Sequence, residues 1–270
     1  MLYKSVLLLF LFSSHLILAQ QNKTRFEKIS DDLGIFVDDG ISFFAYPIHA
    51  DWNDVLITSG VAISTYGFMH ADKDIRKSIG RKTSKSLNGD FWDVPTSLGI
   101  VQYGNIAALS SYGLGVAIDN DDIRVVSRIV FQSLSYSGAL VMITRILVGR
   151  ERPYYEKGPW AYNGFTFDNE KQSFPSGHTT VAFAISSALA EYFDNTYASI
   201  FLYSLSGMTA YARVLNNQHW FSDVFVGALM GFIGGYHVNR MEDERNNNSK
   251  QSNLHIGIST NQISLRYYFE

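Results

Sequence analysis

Apolar residues along this chain come in long blocks rather than in strict alternation, and short clusters of charge or turn residues divide the blocks. Segments near 54–70, 95–118, 122–148, 177–192, 196–214 and 222–240 are rich in Ala, Leu, Ile, Val, Phe and Ser, and each predicts a helix. Residues 22–53 mix polar and apolar positions loosely, with breaks at Asp31–Asp32 and Asp38–Asp39–Gly40, and predict short helices and turns. Asp74–Ile75–Arg76 and Asp122–Ile123–Arg124 both read as Asp-capped helix starts. The pattern is that of an all-α helical bundle, and only the tail departs from it. Residues 241–253 are almost wholly polar and predict a solvated linker. From 254 to 270 the chain alternates around Thr260–Asn261–Gln262, which predicts a short C-terminal β-hairpin.

The first block differs from the rest. Residues Met1 to Gln20 hold one charge, Lys4, then apolar runs over Val6–Phe12 and Leu16–Leu18 that end at Ala19. This layout predicts a secretory signal peptide over 1–19, and hence an exported protein; the alternative is an uncleaved membrane anchor. Ser13–Ser14–His15 interrupts the run and makes it short for a span of about 20 apolar residues. Charge-free windows at 55–71, 94–118, 129–144, 172–190, 195–212 and 224–239 approach bilayer length. Gln132, Ser133, Ser135, Ser137 and Thr144 make one of these windows polar for a membrane helix, so the pattern favours a soluble or peripheral bundle over an integral-membrane one.

Composition narrows the chemistry. Lys and Arg total 22 against 25 Asp and Glu, a net charge of −3, so no basic excess is available to track a nucleic-acid backbone. Cysteine is absent, which excludes disulfides, thiolate zinc sites and iron–sulfur clusters.

Within the helical half, three polar clusters stand out. Arg145 and Arg152 lie seven residues apart, two helical turns, so both guanidiniums are expected on one face at a helix end before Pro153 stops the helix. Pro175–Ser176–Gly177–His178 is a turn feeding an apolar helix, and the free N–H groups of such a helix start suit an oxyanion. Arg213 is followed by His219 and, four residues on, by Asp223, a spacing at which Asp223 is expected to hold one imidazole nitrogen and leave the other free to attack. Taken singly, each has an ordinary structural reading as a dipole-matched Arg pair, a helix start or a surface pair. Their concentration in a charge-poor region points instead to an anion site, since arginines do not titrate and can fork onto phosphate oxygens.

These residues resemble the motifs of the type 2 phosphatidic acid phosphatase (PAP2) superfamily, which includes bacterial non-specific acid phosphatases and vanadium haloperoxidases. The motifs stand here as Arg145 to Arg152–Pro153, Pro175–Ser176–Gly177–His178, and Ala212–Arg213 to His219 and Asp223, in the family's order and spacing. The resemblance implies a PAP2-type helical domain over about 95–240, preceded by an N-terminal helical or irregular region over 20–94. It also implies a phosphatase that needs no metal or other cofactor, with His219 as nucleophile, Asp223 orienting its ring and His178 as general acid. Arg145, Arg152, Ser176, Gly177 and Arg213 would bind the phosphate of a monoester or a lipid (pyro)phosphate, and vanadate is expected to inhibit. A periplasmic or membrane-associated site facing the periplasm follows for an exported enzyme. Two departures are visible: Arg145 stands where the family usually has Lys, and Ala212 where it usually has Ser. The competing functions are a vanadium-dependent haloperoxidase and a non-catalytic phosphate- or lipid-binding module. The aromatic elements Phe91–Trp92, Trp160–Ala161–Tyr162 and Trp220–Phe221 are either core or an apolar rim for a lipid tail.

Overall fold

Thr24 and Glu27 exchange hydrogen bonds, Thr24 N–H to Glu27 Oε2 at 2.7 Å and Glu27 N–H to Thr24 Oγ1 at 3.2 Å, and this capping box starts helix α1 (Arg25–Ala45). Where short helices and turns are expected over 22–53, the chain forms this one long helix and then a short 3-10 turn at Tyr46–His49. The computed structural model describes residues 23–80, 90–252, 254–259 and 262–267; the signal segment 1–19 lies outside them. The chain divides into two units, Met1–Val37 and Asp38–Glu270, and the second holds the rest of the described fold.

In that unit follow α2 (Trp52–Gly80), α3 (Asp90–Leu98), α4 (Val101–Ala117), α5 (Asp121–Val148), α6 (Gly177–Phe193), α7 (Thr196–Leu215) and α8 (Phe221–Ser252). The protein is all-α apart from a terminal antiparallel hairpin, β1 (Leu254–Ser259) with β2 (Gln262–Tyr267), registered from Leu254 opposite Tyr267 to Ser259 opposite Gln262. Neither Asp-capped start holds. Asp74 lies inside α2, and α5 is capped by Asn120, whose side chain accepts from Ile123 N–H at 2.9 Å. The polar stretch expected as a linker continues α8 to Ser252. Met241, Glu242, Glu244 and Arg245 at its start are good helix formers, and Arg240 pairs with Glu244 at 3.2 Å one turn on while Arg245 pairs with Glu242.

Helix α6 is the centre of the bundle and packs most closely on α8. Gly227, Gly231 and Gly235 present a bare stripe there: a Cβ at Gly231 would lie 2.3 Å from Thr180 O, and one at Gly235 2.5 Å from Ala188 N. Backbones this close leave room for only short side chains, and Ser187 Oγ–H and Thr180 Oγ1–H donate across the seam to Phe232 O at 2.8 Å and Gly227 O at 2.9 Å. Helices α5 and α7 flank α6, α4 covers α5, and α2 and α3 close against α8 and α7. Ile129, Leu134, Ala184, Ala188, Leu215 and Val238 form the apolar interior.

The polar residues of the 129–144 window are satisfied within this packing. Ser133, Ser135 and Thr144 donate to the carbonyls of Ile129, Phe131 and Leu140 at 2.7–2.8 Å, so they carry no demand for water. Their presence therefore does not count against a bilayer. Among the described residues, α5 (Asp121–Val148) and the Phe221–Asn248 part of α8 are long and apolar enough to cross a membrane.

Candidate active site

Helix α5 ends at Gly149, whose φ of 59° is left-handed, and the chain leaves in an extended segment. Arg145 is thus the last-turn residue of α5, whereas Arg152 lies beyond the helix; the two converge through the turn rather than along one helix face. Arg145 Nε–H donates to Pro175 O at 2.8 Å, which lays its guanidinium across the start of α6. A Cβ at Gly177 would sit 3.0 Å from Arg145 Nη2, so glycine there gives the wide planar head its place. Arg152 donates to Gln218 O at 3.3 Å and Asn169 O at 3.2 Å. Arg213, in the last turn of α7, is buried, and its Nε, like that of Arg152, has no partner. Among the described residues none of these three arginines forms an ion pair; the buried carboxylates nearby are held by Arg150 instead.

The three guanidiniums surround a cavity of about 300 Å³ that also takes in His178 and His219, with Tyr154, Asn169, Glu170 and Gln218 completing its wall. His219 stands in the turn before α8 and is fully buried apart from its cavity edge. Its Nδ1 lies 2.8 Å from Ser173 O. A carbonyl only accepts, so Nδ1 carries the ring proton and Nε2 keeps its lone pair. Burial, with Arg152 and Arg145 adding to it, depresses the His219 imidazole to about 3 and keeps it neutral. His178, in the first turn of α6, is depressed to about 4 by burial and then by Arg213, Arg145 and Arg152.

Asp223 is not the direct partner expected of it. Its Oδ2 is 3.7 Å from His219 Nδ1, and accepts instead from Ser173 Oγ–H at 2.5 Å and Trp220 N–H at 2.9 Å. Ser173 therefore stands between the two, its carbonyl on the imidazole and its hydroxyl on the carboxylate. Ser176 and Gly177 are not part of the cavity wall. Ser176 is fully buried, its hydroxyl accepts from Thr179 Oγ1–H at 3.0 Å, and as N-cap it accepts from no backbone N–H of the first turn of α6. Of the aromatic elements, Trp220 is core and Trp160 half exposed, and the one aromatic residue on the wall is Tyr154.

Residues 128–247 match the sequence model of the PAP2 superfamily. This match covers 120 of the chain's 270 residues and contains all three motifs. Similar proteins include a lipid A 1-phosphatase of Porphyromonas gingivalis, 40% identical over 65 residues, which are 23% of this chain and 15% of that one. A lipid A 1-phosphatase of Rhizobium etli is 30% identical over 105 residues, 38% of this chain and 44% of the relative. This chain thus aligns with less than half the length of either. Among solved structures it is similar to the PAP2 type phosphatidylglycerolphosphate phosphatase of Bacillus subtilis, with 18% identity, a TM-score of 0.49 and coverage of 79% of this chain and 96% of that one. Aquifex aeolicus LpxE gives 19% identity and a TM-score of 0.45 over 63% of this chain and 94% of its own.

The PAP2 motif residues Arg145, Arg152, His178, Arg213 and His219 all reach the one cavity. Four residues behind them were not legible as site residues: Ser173, Arg150, Ser222 and Asp72. Arg150 falls inside the first PAP2 motif, but beside Glu151 and Arg152 nothing in the sequence singles it out. Asp72 lies in α2, outside residues 128–247, and no spacing ties it to the motifs.

Proposed function

We propose that this protein hydrolyses phosphate monoesters or lipid (pyro)phosphates through a phosphohistidine on His219, without a metal ion. The observation that carries this reading is the set of three cavity-facing arginines that form no ion pair among the described residues, with two neutral imidazoles beside them. Buried cations without counter-ions need an anion, and a tetrahedral phosphate supplies oxygens for all three forks.

His219 Nε2 attacks phosphorus, and the P–N bond forms as the P–O bond to the leaving alkoxide breaks. Arg145, Arg152 and Arg213 hold the non-bridging oxygens, and Gly177 at the start of α6 leaves room for the Arg145 guanidinium. The phosphate brings negative charge to a site that otherwise repels protons, so His178 gains a proton as substrate binds and passes it to the leaving oxygen. The phosphorylated ring is cationic: its Nδ1–H stays on Ser173 O, and Asp223 balances the charge from behind. Water, deprotonated by His178, then cleaves the P–N bond and releases orthophosphate.

A lipid phosphate is the favoured substrate. Support comes from the lipid A 1-phosphatase relatives, from the two helices of membrane-spanning length, and from exposed apolar residues such as Met142 and Leu147 on α5. The protein is then exported and membrane-associated, with the cavity on the periplasmic side.

The test is phosphate release by the detergent-purified protein from a lipid phosphate and from a soluble chromogenic monoester, with and without a chelator. Turnover of the lipid ester is expected to exceed that of the soluble one, to be unchanged by chelator and to be inhibited by vanadate, a pentacoordinate mimic of the transition state. His219→Ala is expected to abolish release while leaving the thermal unfolding midpoint near that of the parent. Turnover retained by His219→Ala sinks the mechanism.

A further inference from the structure

Arg150 is the one arginine of the site that does not face the cavity. It is fully buried and shared between two carboxylates, Nη1 with Asp223 Oδ1 at 2.5 Å and Nη2 with Asp72 Oδ2 at 2.8 Å. Its Nε and Nη2 also donate to Pro159 O at 2.9 and 2.7 Å, and Nη1 donates to Ser222 Oγ at 2.7 Å. Asp72 in turn accepts from Ser222 N–H at 2.9 Å and Ser222 Oγ–H at 2.6 Å, fixing the first turn of α8 one residue before Asp223. One helical turn further along α2, Arg76 donates to Asn217 Oδ1 at 2.8 Å and grips Glu156, so α2 also holds the turn leading to His219.

The charges give this arrangement a purpose. Asp223 is useful to a cationic phosphohistidine only if its negative charge is not already cancelled. Arg150 alone would cancel it, since a guanidinium at hydrogen-bond distance in a dry site is the strongest charge acting on that carboxylate. Asp72 supplies the second negative charge. The trio then carries a net charge of −1, which is what the imidazolium of the intermediate requires.

We propose that Asp72 is a positioning residue for the reaction: as the counter-charge of Arg150 it leaves the charge of Asp223 available to His219, so a helix outside the family's motif region completes the nucleophile's support. This rests on the phosphatase reading above. Asp72 does not touch the cavity, so its effect belongs to the chemical step and not to phosphate binding.

The experiment compares wild type, Asp72→Asn and Asp72→Glu in kcat, KM, vanadate inhibition and thermal midpoint, using the full-length protein in detergent. Asp72→Asn is expected to lower kcat by at least about tenfold, the scale on which a buried electrostatic support acts, and to weaken vanadate inhibition in step with it, while KM stays within about threefold. Asp72→Glu, which restores the charge, is expected to recover most of kcat. Wild-type kcat in Asp72→Asn overturns the proposal, as does a loss of turnover that Asp72→Glu does not relieve or that comes with a matching rise in KM. If Asp72→Asn does not fold, the paired Asp72→Asn, Arg150→Gln variant decides, because it also leaves a net −1: measurable turnover supports the proposal. A folded but inactive pair overturns it, and so does a pair that does not fold, since the contact would then hold the fold and not the nucleophile. A wild type inactive on every ester is a different result and refutes the phosphatase reading itself.

Discussion

At the scale of single residues, the two histidines are governed by what surrounds them rather than by their own basicity. His178 is held at about 4 and His219 at about 3, against an unperturbed imidazole near 6.5. The folded protein therefore resists protonation that the unfolded chain accepts. Stability is expected to be full above about pH 6.5 and to fall as the pH drops toward 4 and then 3, by roughly 3 kcal/mol for His178 alone. Carboxylates also respond in acid, so the measure is the difference in the pH dependence of the thermal midpoint between wild type and His178→Asn. The variant should lose less stability between pH 7 and 4.5, and inorganic phosphate should flatten the wild-type curve, because a bound anion beside His178 raises its pKa. Equal slopes with and without His178 would contradict the electrostatic account of the site. The titrating and cationic residues of the cavity were legible in the sequence because their chemistry lies in the side chain. Ser173 was not: it acts on His219 through a main-chain carbonyl, which any residue possesses, and only the folded turn shows that its hydroxyl also reaches Asp223.

At the scale of elements, the helices follow the apolar blocks, and the departures occur where two blocks touch or where charge sustains a helix. The 95–118 block breaks at Gly99–Ile100 into α3 and α4, and the break is needed because α6 passes there. A Cβ on Gly99 would lie 2.7 Å from both Cβ and O of His178 and 2.9 Å from its Cα. Gly99→Ala is therefore expected to push the first turn of α6, destabilise the protein by about 1–3 kcal/mol and lower kcat by displacing His178. Gly113→Ala in α4, where a Cβ meets nothing within 4 Å, is the control; it should leave kcat unchanged and raise the thermal midpoint by the helix preference of alanine, up to about 1 kcal/mol. A Gly99→Ala protein with normal kcat would show that α3 does not help place the catalytic ring. The sequence carried Gly99 in plain view, but a glycine in an apolar block is equally a weak helix residue, and only the neighbour it meets distinguishes the two.

At the scale of the whole molecule, helix α5 carries arginines at both ends, and the two ends are treated oppositely. Arg128, near its start, donates to Glu242 Oε2 at 2.8 Å and to Gln132 Oε1 at 3.2 Å. Gln132 passes the network to Asp39 at 2.9 Å, and Arg245 closes it by reaching both Glu242 and Asp39. Two arginines meet two carboxylates, and α1, α5 and α8 are tied together without a charge left over. About 25 Å along the same helix, at 1.5 Å per residue, Arg145 sits with Arg152 and Arg213, and among the described residues no carboxylate pairs with any of them. The chain has acid to spare, with a net charge of −3, so the imbalance at the cavity is a local arrangement and not a shortage. The distal network should then matter to stability and not to chemistry. Glu242→Gln is expected to strip Arg128 of its buried counter-ion and to cost about 3–5 kcal/mol, as breaking a buried pair does. The folded fraction should keep kcat within about twofold of wild type, because no cavity residue contacts the network. A Glu242→Gln protein of undiminished thermal midpoint would mean that the pair is dispensable, and one that stays folded but loses kcat would mean that the two ends of α5 are coupled.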